Sequence, residues 1–207
     1  MSTFLGTTGN DTVTATAGTI NDSLFGDLGD DTLAGLGSAD TLNSGGGTDT
    51  VTYAASGAGV TVTLGAVGVG GDALGDTFIS IENVIGSNSA DALTGDGGNN
   101  ALYGGLGNDS LYGGLGNDTL AGGLNNDRIE GGAGIDTVSF ASATSGVVLT
   151  LLAGAGNSTG GDGSDTILGV ENIIGGIYAD TLTGDATDNV IAGGAGADSL
   201  AGGTGID

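Results

Sequence analysis

The stretch that decides the fold runs from Gly86 to Ser139 and consists of six nonapeptides in register: GSNSADALT, GDGGNNALY, GGLGNDSLY, GGLGNDTLA, GGLNNDRIE and GGAGIDTVS. They vary one pattern, G-G-x-G-x-D-x-U-x, in which U is a large aliphatic residue. The glycine-rich hexapeptide that ends in aspartate favours a turn, and the x-U-x triplet is long enough for a short strand. Each repeat therefore predicts one turn followed by one strand.

The same register extends on both sides of this stretch. Related nonapeptides fill most of residues 6–52, and a last series runs over residues 175–207, where the closing GGTGID is a truncated repeat. We therefore expect three repeat blocks, 6–52, 86–139 and 175–207, within one continuous domain of residues 1–207. Because the chain ends inside a repeat, we expect it to be a fragment of a longer protein.

Two spacers, residues 53–85 and 140–174, separate the blocks and resemble each other. GGDALGDTFISIENVIG in the first returns as GGDGSDTILGVENIIG in the second, and both keep an aspartate, Asp76 or Asp165, at the sixth position of a repeat. Val60, Val62 and Leu64 alternate with threonines, which is the period of a strand. We expect the spacers to be irregular coils of the same solenoid, with a conformation that the sequence leaves open.

The large aliphatic residue of each repeat is the candidate core. Every large side chain of this kind contributes about 1.5–3 kcal/mol when it is buried. Ordering the backbone costs about 1–2 kcal/mol per residue, and glycine costs most. The chain therefore needs a stabilising partner. The intact repeats supply Val13, Leu24, Leu33, Leu42, Val51, Leu93, Leu102, Leu111, Leu120, Ile129, Val138, Leu182, Ile191 and Leu200.

Composition limits what that partner can be. The chain has 48 glycines among 207 residues, no cysteine and no histidine, and a net charge of -24 with Arg128 as its one basic residue. Such a charge excludes nucleic acid as a partner and gives no attraction to an anionic membrane, and no apolar stretch is long enough for membrane insertion. Disulfides and cysteine-based zinc sites are excluded as well. The natural partner is a cation.

A hard cation suits the repeat. Calcium takes about six to eight oxygen ligands in flexible geometry, and glycine loops can turn their carbonyls inward where a Cβ would clash.

Catalysis has little support in the sequence by comparison. Residues 156–160, GNSTG, match the G-x-S-x-G pattern of hydrolases, but a chain without histidine cannot build the usual triad. We expect no enzyme activity in this chain.

The residues resemble the repeats-in-toxin (RTX) family, whose haemolysin-type calcium-binding repeats are almost reproduced by GGLGNDSLYGGLGNDTLAGG from Gly104 to Gly123. The resemblance implies an all-β fold, a right-handed parallel β-roll in which two nonapeptides make one turn. It also implies calcium ions between stacked loops, held by carbonyls of the glycine-rich turns and by the sixth-position aspartates of both loops.

Carried onto this chain, the resemblance assigns several calcium ions to two sets of ligands. The aspartates are Asp22, Asp31, Asp40, Asp49, Asp91, Asp109, Asp118, Asp127, Asp136, Asp180 and Asp198. The glycines are Gly104, Gly105, Gly107, Gly113, Gly114, Gly116, Gly122, Gly131, Gly132 and Gly134. The expected partners are Asp22 with Asp40, Asp31 with Asp49, Asp91 with Asp109, Asp109 with Asp127, Asp118 with Asp136, and Asp180 with Asp198. Two pairs are impaired by asparagine, Asn100 with Asp118 and Asn189 with Asp207. Glu82 and Glu171 are either structural residues at a coil boundary or additional ligands.

Three functions fit these features. The first is a calcium-binding structural module that folds on binding calcium after secretion, which the resemblance places outside or on the surface of a Gram-negative bacterium after export by a type I secretion system. The second is the repeat region of a larger secreted enzyme or toxin, whose catalytic domain would be another domain of the same protein. The third is an adhesin, surface-layer or ice-binding β-roll.

Overall fold

The computed structural model describes residues 1–18, 20–152 and 156–207. Among these residues no helix is long and apolar enough to cross a membrane. One turn of 3-10 helix, Gly71–Ala73, accompanies short strands. The strands are β1 Thr3–Leu5, β2 Thr12–Thr14, β3 Ser23–Leu28, β4 Thr32–Ala34, β5 Thr41–Gly46, β6 Thr50–Thr52, β7 Thr61–Thr63, β8 Thr77–Ile79, β9 Asn83–Ile85, β10 Ala92–Thr94, β11 Ala101–Leu106, β12 Ser110–Leu115, β13 Thr119–Leu124, β14 Arg128–Ala133, β15 Thr137–Ser139, β16 Val147–Thr150, β17 Gly156–Gly160, β18 Thr166–Leu168, β19 Asn172–Ile174, β20 Thr181–Thr183, β21 Ile191–Ala192 and β22 Ser199–Ala201.

The strands form two walls, and successive repeats alternate between them. Wall 1 is one sheet in the order β2-β4-β6-β9-β11-β13-β15-β19-β21. Wall 2 consists of a four-stranded sheet, β1-β3-β5-β8, and a nine-stranded sheet, β7-β10-β12-β14-β18-β17-β16-β20-β22. Isolated bridges from Thr61 to Val69 and from Val67 to Thr77 connect these two sheets of wall 2. A single coil of the chain therefore contributes one strand to each wall.

Within the repeat blocks the strands are parallel and in the expected register. Leu102 lies opposite Leu120 in wall 1, and Leu111 lies opposite Ile129 in wall 2. Each pair is two nonapeptides apart, so identical repeat positions stack on each other from coil to coil. The prediction of an all-β roll with stacked parallel strands is confirmed.

The large aliphatic residues fill the space between the walls. Leu24, Leu93, Leu120 and most others of the predicted set are fully buried in a single core that runs from Val13 to Leu182. The prediction is wrong for Leu200, which is 49% exposed. Leu200 lies on β22, the outermost strand of its sheet, so no further coil packs against it.

The spacers contain the antiparallel strands of the roll. After β15 the chain enters wall 2 at β16, turns back through the antiparallel β17, and reaches β18 beside β14. The first spacer has the same path, with β7, the bridged segment around Val67 to Val69, and then β8 beside β5. Parallel pairing is therefore interrupted inside each spacer, whereas the strands at its two ends, β7, β8, β16 and β18, pair in parallel with repeat strands. Each spacer adds two strands to wall 2 without adding a partner for them to wall 1.

Candidate metal sites in the glycine-rich loops

Sixth-position carboxylates form a ladder along the roll. The backbone N–H of Asp91 donates to Oδ1 of Asp109, and the N–H of Asp109 donates to Oδ1 of Asp127, both at 2.8 Å. The same bond joins the other predicted pairs, Asp22 with Asp40, Asp31 with Asp49, Asp118 with Asp136, and Asp180 with Asp198, and the asparagine pairs Asn100 with Asp118 and Asn189 with Asp207. The expected pairs are thus neighbours in adjacent coils.

The second carboxylate oxygen is unpartnered in many of these aspartates. Although it is buried, Oδ2 accepts no hydrogen bond in Asp31, Asp40, Asp49, Asp109, Asp118, Asp127 and Asp136. All seven residues are almost fully buried. A buried charged oxygen without a donor costs about 1–3 kcal/mol or more. A positively charged partner at each of these oxygens would therefore stabilise the fold.

In six of the seven loops with an unpartnered Oδ2 the first residue is a glycine that faces this oxygen, and in the loop of Asp49 it is Ser44. A Cβ at Gly113 would collide with Oδ2 of Asp118 and with the carbonyl oxygen of Gly131 in the next coil. A Cβ at Gly104 would likewise meet Oδ2 of Asp109 and the carbonyl oxygen of Gly122. Glycine thus leaves a space in which a carboxylate oxygen and a carbonyl oxygen from adjacent coils lie close together. Gly122 and Gly131 hold the same position against Asp127 and Asp136.

The conformation of the second residue divides the loops into two classes. In the loops with an unpartnered Oδ2, which we call open loops, this residue has positive φ, for example 114° at Gly105 and 115° at Gly114. In the other class, the closed loops, the N–H of the second residue donates to the sixth side chain of its own loop. This bond runs from Thr7 to Asp11, from Ser87 to Asp91, from Asp96 to Asn100, from Gly176 to Asp180 and from Asp185 to Asn189.

The remaining predicted glycines explain how the coils approach each other. Gly132 has φ of 113° and Gly116 has φ of 105°, a region that other residues rarely adopt. A Cβ on either would collide with a carbonyl group of the preceding coil, that of Gly114 or Gly98. Gly107 and Gly134, at the fourth position, are placed in the same way. These glycines bring backbone carbonyls of adjacent loops together.

Burial makes several of the ladder carboxylates resist ionisation. Desolvation raises the pKa of Asp109 to about 7 and that of Asp127 to about 6, with neighbouring ladder carboxylates adding to the rise. The pKa values of Asp40, Asp118 and Asp136 are also raised, again mainly by desolvation. A nearby cation would favour the charged form of each group.

These groups fit calcium. Carboxylate and carbonyl oxygens are the donors that this ion prefers, and the open loops supply both at one place. Within the described part of the chain, no three acidic, histidine or cysteine side chains lie close enough together to hold a metal by themselves. A calcium ion in these loops would therefore take most of its ligands from backbone carbonyls, which the glycine content of the loops allows.

Sequence spacing did not identify how the ladder continues into the spacers. Oε2 of Glu82 accepts the N–H of Asp49, and Oε2 of Glu171 accepts the N–H of Asp136, both at 2.8 Å. Each glutamate occupies a ladder position although it lies 33 or 35 residues further along the chain instead of 18. The signal that could have found them is the repeated I-E-N-V and V-E-N-I after each sixth-position aspartate of a spacer.

The serine of the G-x-S-x-G match is not placed for nucleophilic attack. Ser158 lies on β17, is 2% exposed, and donates its hydroxyl to Oδ2 of Asp165 at 2.6 Å. Since the chain has no histidine, no general base of the usual triad can activate this hydroxyl. Ser158 is a structural hydrogen-bond donor.

Comparison with known families agrees with this geometry. The family model of the RTX calcium-binding nonapeptide repeat (4 copies) matches residues 3–19, 16–51, 80–111, 103–138 and 174–207. Among curated proteins, none gives a significant match to the chain. The matched ranges cover the three repeat blocks and leave most of both spacers outside.

Proposed function

Because the chain belongs to the RTX calcium-binding nonapeptide repeat family, we propose that it is a structural module that is unfolded at low calcium and folds when calcium binds after secretion. The observation that carries this proposal is the buried Oδ2 of each open loop, which has no hydrogen-bond donor and in six of the seven loops faces the first glycine of its repeat. Calcium bound there would supply positive charge to the carboxylates and would join adjacent coils.

The energies support folding that depends on metal. Seven unpartnered buried oxygens at about 1–3 kcal/mol each rival the roughly 5–15 kcal/mol by which a typical domain is stable. Repulsion within a chain of net charge -24 acts in the same direction. In the absence of metal, the unfolded chain is therefore the favoured state.

We propose the open loops as the sites. Their aspartates are Asp31, Asp40, Asp49, Asp109, Asp118, Asp127 and Asp136, and carbonyls of the surrounding glycines complete the ligand sets. Asp198 belongs with them because Gly194, the second residue of its loop, has φ of 86°. The loop of Asp22 includes residue 19, which lies outside the described residues, so Asp22 is proposed on its spacing alone.

The proposal extends to where the module acts. Extracellular calcium modules bind in about the 10⁻⁴–10⁻³ M range, which is far above cytosolic calcium. An exported chain that stays unfolded inside the cell and folds outside fits a type I secretion system of a Gram-negative bacterium. Its partners are then calcium, the secretion system and other domains of the same protein, and any catalysis would belong to those domains.

The test is circular dichroism during a calcium titration, with magnesium as the control ion. We expect the spectrum of an unfolded chain in chelator and a cooperative gain of β signal with calcium but not with magnesium, because magnesium demands stricter geometry.

Gly113→Ala places a Cβ against Asp118 Oδ2 and should shift the calcium midpoint of this titration upward at least several-fold. Gly97→Ala is the matched control because a Cβ there meets nothing within 4 Å. Full β structure in chelator would overturn the proposal.

A further inference from the structure

We propose that Asp76 and Asp165 hold no calcium and that each spacer is a metal-free joint that interrupts the line of calcium sites. This inference rests on the proposed function and concerns which of the sixth-position aspartates bind the ion. Spacing alone would count both residues as ligands, because GDALGD and GGDGSD keep the aspartate at the sixth position.

Protein hydroxyls occupy the carboxylate oxygens that are unpartnered elsewhere. The phenol of Tyr53 donates to Oδ2 of Asp76 at 2.8 Å, and the hydroxyl of Ser158 donates to Oδ2 of Asp165 at 2.6 Å. The other oxygen of each aspartate accepts a ladder N–H, from Asp40 at 2.8 Å and from Asp127 at 2.9 Å. Both oxygens of both carboxylates are therefore satisfied without metal.

The glycine-lined space is also absent at these two aspartates. A Cβ at Gly71, the first residue of the GDALGD loop, would meet the carbonyl oxygen of Ala58 and the hydroxyl of Ser56. A Cβ at Gly160, the first residue of GGDGSD, would meet backbone atoms of Gly146 and Val147. Neither glycine faces its own aspartate, so no carbonyl oxygen is brought beside Oδ2 in the manner of the open loops.

The two spacers build the same hydrogen bond from different residues. Tyr53 corresponds to Phe140 when the spacers are aligned on DTVTYA and DTVSFA, and Gly68 corresponds to Ser158 when they are aligned on their shared GGD. The second spacer lacks the phenol hydroxyl and has a serine hydroxyl where the first has glycine. In both spacers a hydroxyl donates a hydrogen bond to Oδ2 of the sixth-position aspartate. This bond removes the need for a cation at that oxygen.

Each joint continues into the repeats that follow the spacer. The first two loops after the first spacer end in Asp91 and Asn100, and the first two after the second end in Asp180 and Asn189. All four are closed loops, in which an N–H of the same loop reaches the sixth side chain. The open loops of Asp31 to Asp49 and of Asp109 to Asp136 are consequently separated by a metal-free stretch, and a second such stretch follows.

The test counts bound calcium by native mass spectrometry in three variants. In Asp76→Asn and Asp165→Asn the new amide can donate to the Tyr53 or Ser158 oxygen, so the contact survives and we expect the same number of ions as in the unaltered chain. Asp118→Asn, in an open loop, should lose at least one ion. Loss of an ion from Asp76→Asn or Asp165→Asn would overturn the inference. An unaltered chain that binds no calcium would overturn the proposed function instead.

A second measurement requires no substitution. In crystals of the calcium-loaded unaltered chain, anomalous scattering should show an ion in contact with Asp118 Oδ2 and none in contact with Asp76 or Asp165. An ion bound to either spacer aspartate would overturn the inference even if the variants failed to fold.

Discussion

At the scale of the residue, the second position of each repeat decides whether a loop is open. Positive φ there turns the backbone N–H away from the sixth-position carboxylate, and the open loops share this conformation even where glycine is absent. Asp27 has φ of 85° and Leu36 has φ of 58°, and both precede an aspartate with an unpartnered Oδ2. A non-glycine residue in this region is strained by about 1–2 kcal/mol. The stacking of the coils therefore imposes a conformation that these side chains disfavour.

Relieving the strain at Asp27 should stabilise the folded roll. Asp27 is exposed, and no hydrogen bond of its side chain is present among the described residues. We expect Asp27→Gly to raise the free energy of unfolding in saturating calcium by about 1 kcal/mol, measured by urea denaturation. Asp27→Ala is the control, because it removes the charge but keeps the strain. Equal stabilisation by both would assign the effect to charge instead of conformation.

At the scale of the element, the antiparallel strand of the second spacer supplies a hydroxyl that the repeat strands lack. β17 lies between β16 and β18 and carries Ser158 to the ladder aspartate of β18. Ser158 on this strand makes a buried polar contact, whereas most U residues of the repeat strands belong to the apolar core. A buried hydrogen bond therefore helps to position β17.

Removing that hydroxyl should destabilise the roll. Ser158→Ala leaves Oδ2 of Asp165 buried without a donor, so we expect a loss of about 1–3 kcal/mol in calcium-saturated urea unfolding. Thr159→Ala on the same strand is the control, since Thr159 is exposed and its loss should be below about 1 kcal/mol. A loss at Thr159 as large as that at Ser158 would contradict the structural role of the hydroxyl.

At the scale of the whole molecule, carboxylates are buried along the roll from Asp22 to Asp180. The ladder carboxylates lie beside the apolar core, and desolvation raises the pKa of Asp109 to about 7 and that of Asp127 to about 6. An aspartate of the unfolded chain has a pKa of about 3.9. The metal-free fold therefore binds protons more tightly than the unfolded chain does, and protonation substitutes in part for the cation.

The sign of the pH effect follows. The stability that these protons contribute is fully present below about pH 4 and is lost as the pH rises through about 6 to 7. In metal-free buffer we expect more β signal by circular dichroism at pH 5 than at pH 8. In the double variant Asp109→Asn with Asp127→Asn the difference should shrink. More β structure at pH 8 than at pH 5 would contradict the burial of these carboxylates.

The spacers also affect the molecule as a whole, through the number of strands in each wall. Each adds two strands to wall 2 that wall 1 does not match. At about 4.8 Å between neighbouring strands, wall 2 gains about 10 Å at each spacer. The strands of the two walls therefore cannot remain in step across a spacer, although wall 1 continues past each spacer as one sheet.

The sequence by itself determined the repeating unit: a glycine turn, an aspartate and an aliphatic strand residue at fixed spacing specify the register and the ladder pairs of the repeat blocks, because the pattern recurs every nine residues. Only the tertiary structure decided which loops are open. That distinction depends on the φ of one residue and on whether a hydroxyl or N–H reaches Oδ2. Tyr53 reaches Asp76 across 23 residues, and Ser158 reaches Asp165 from a strand that runs backwards. Contacts of this kind are set by the path of the chain through the spacer, which no local spacing encodes.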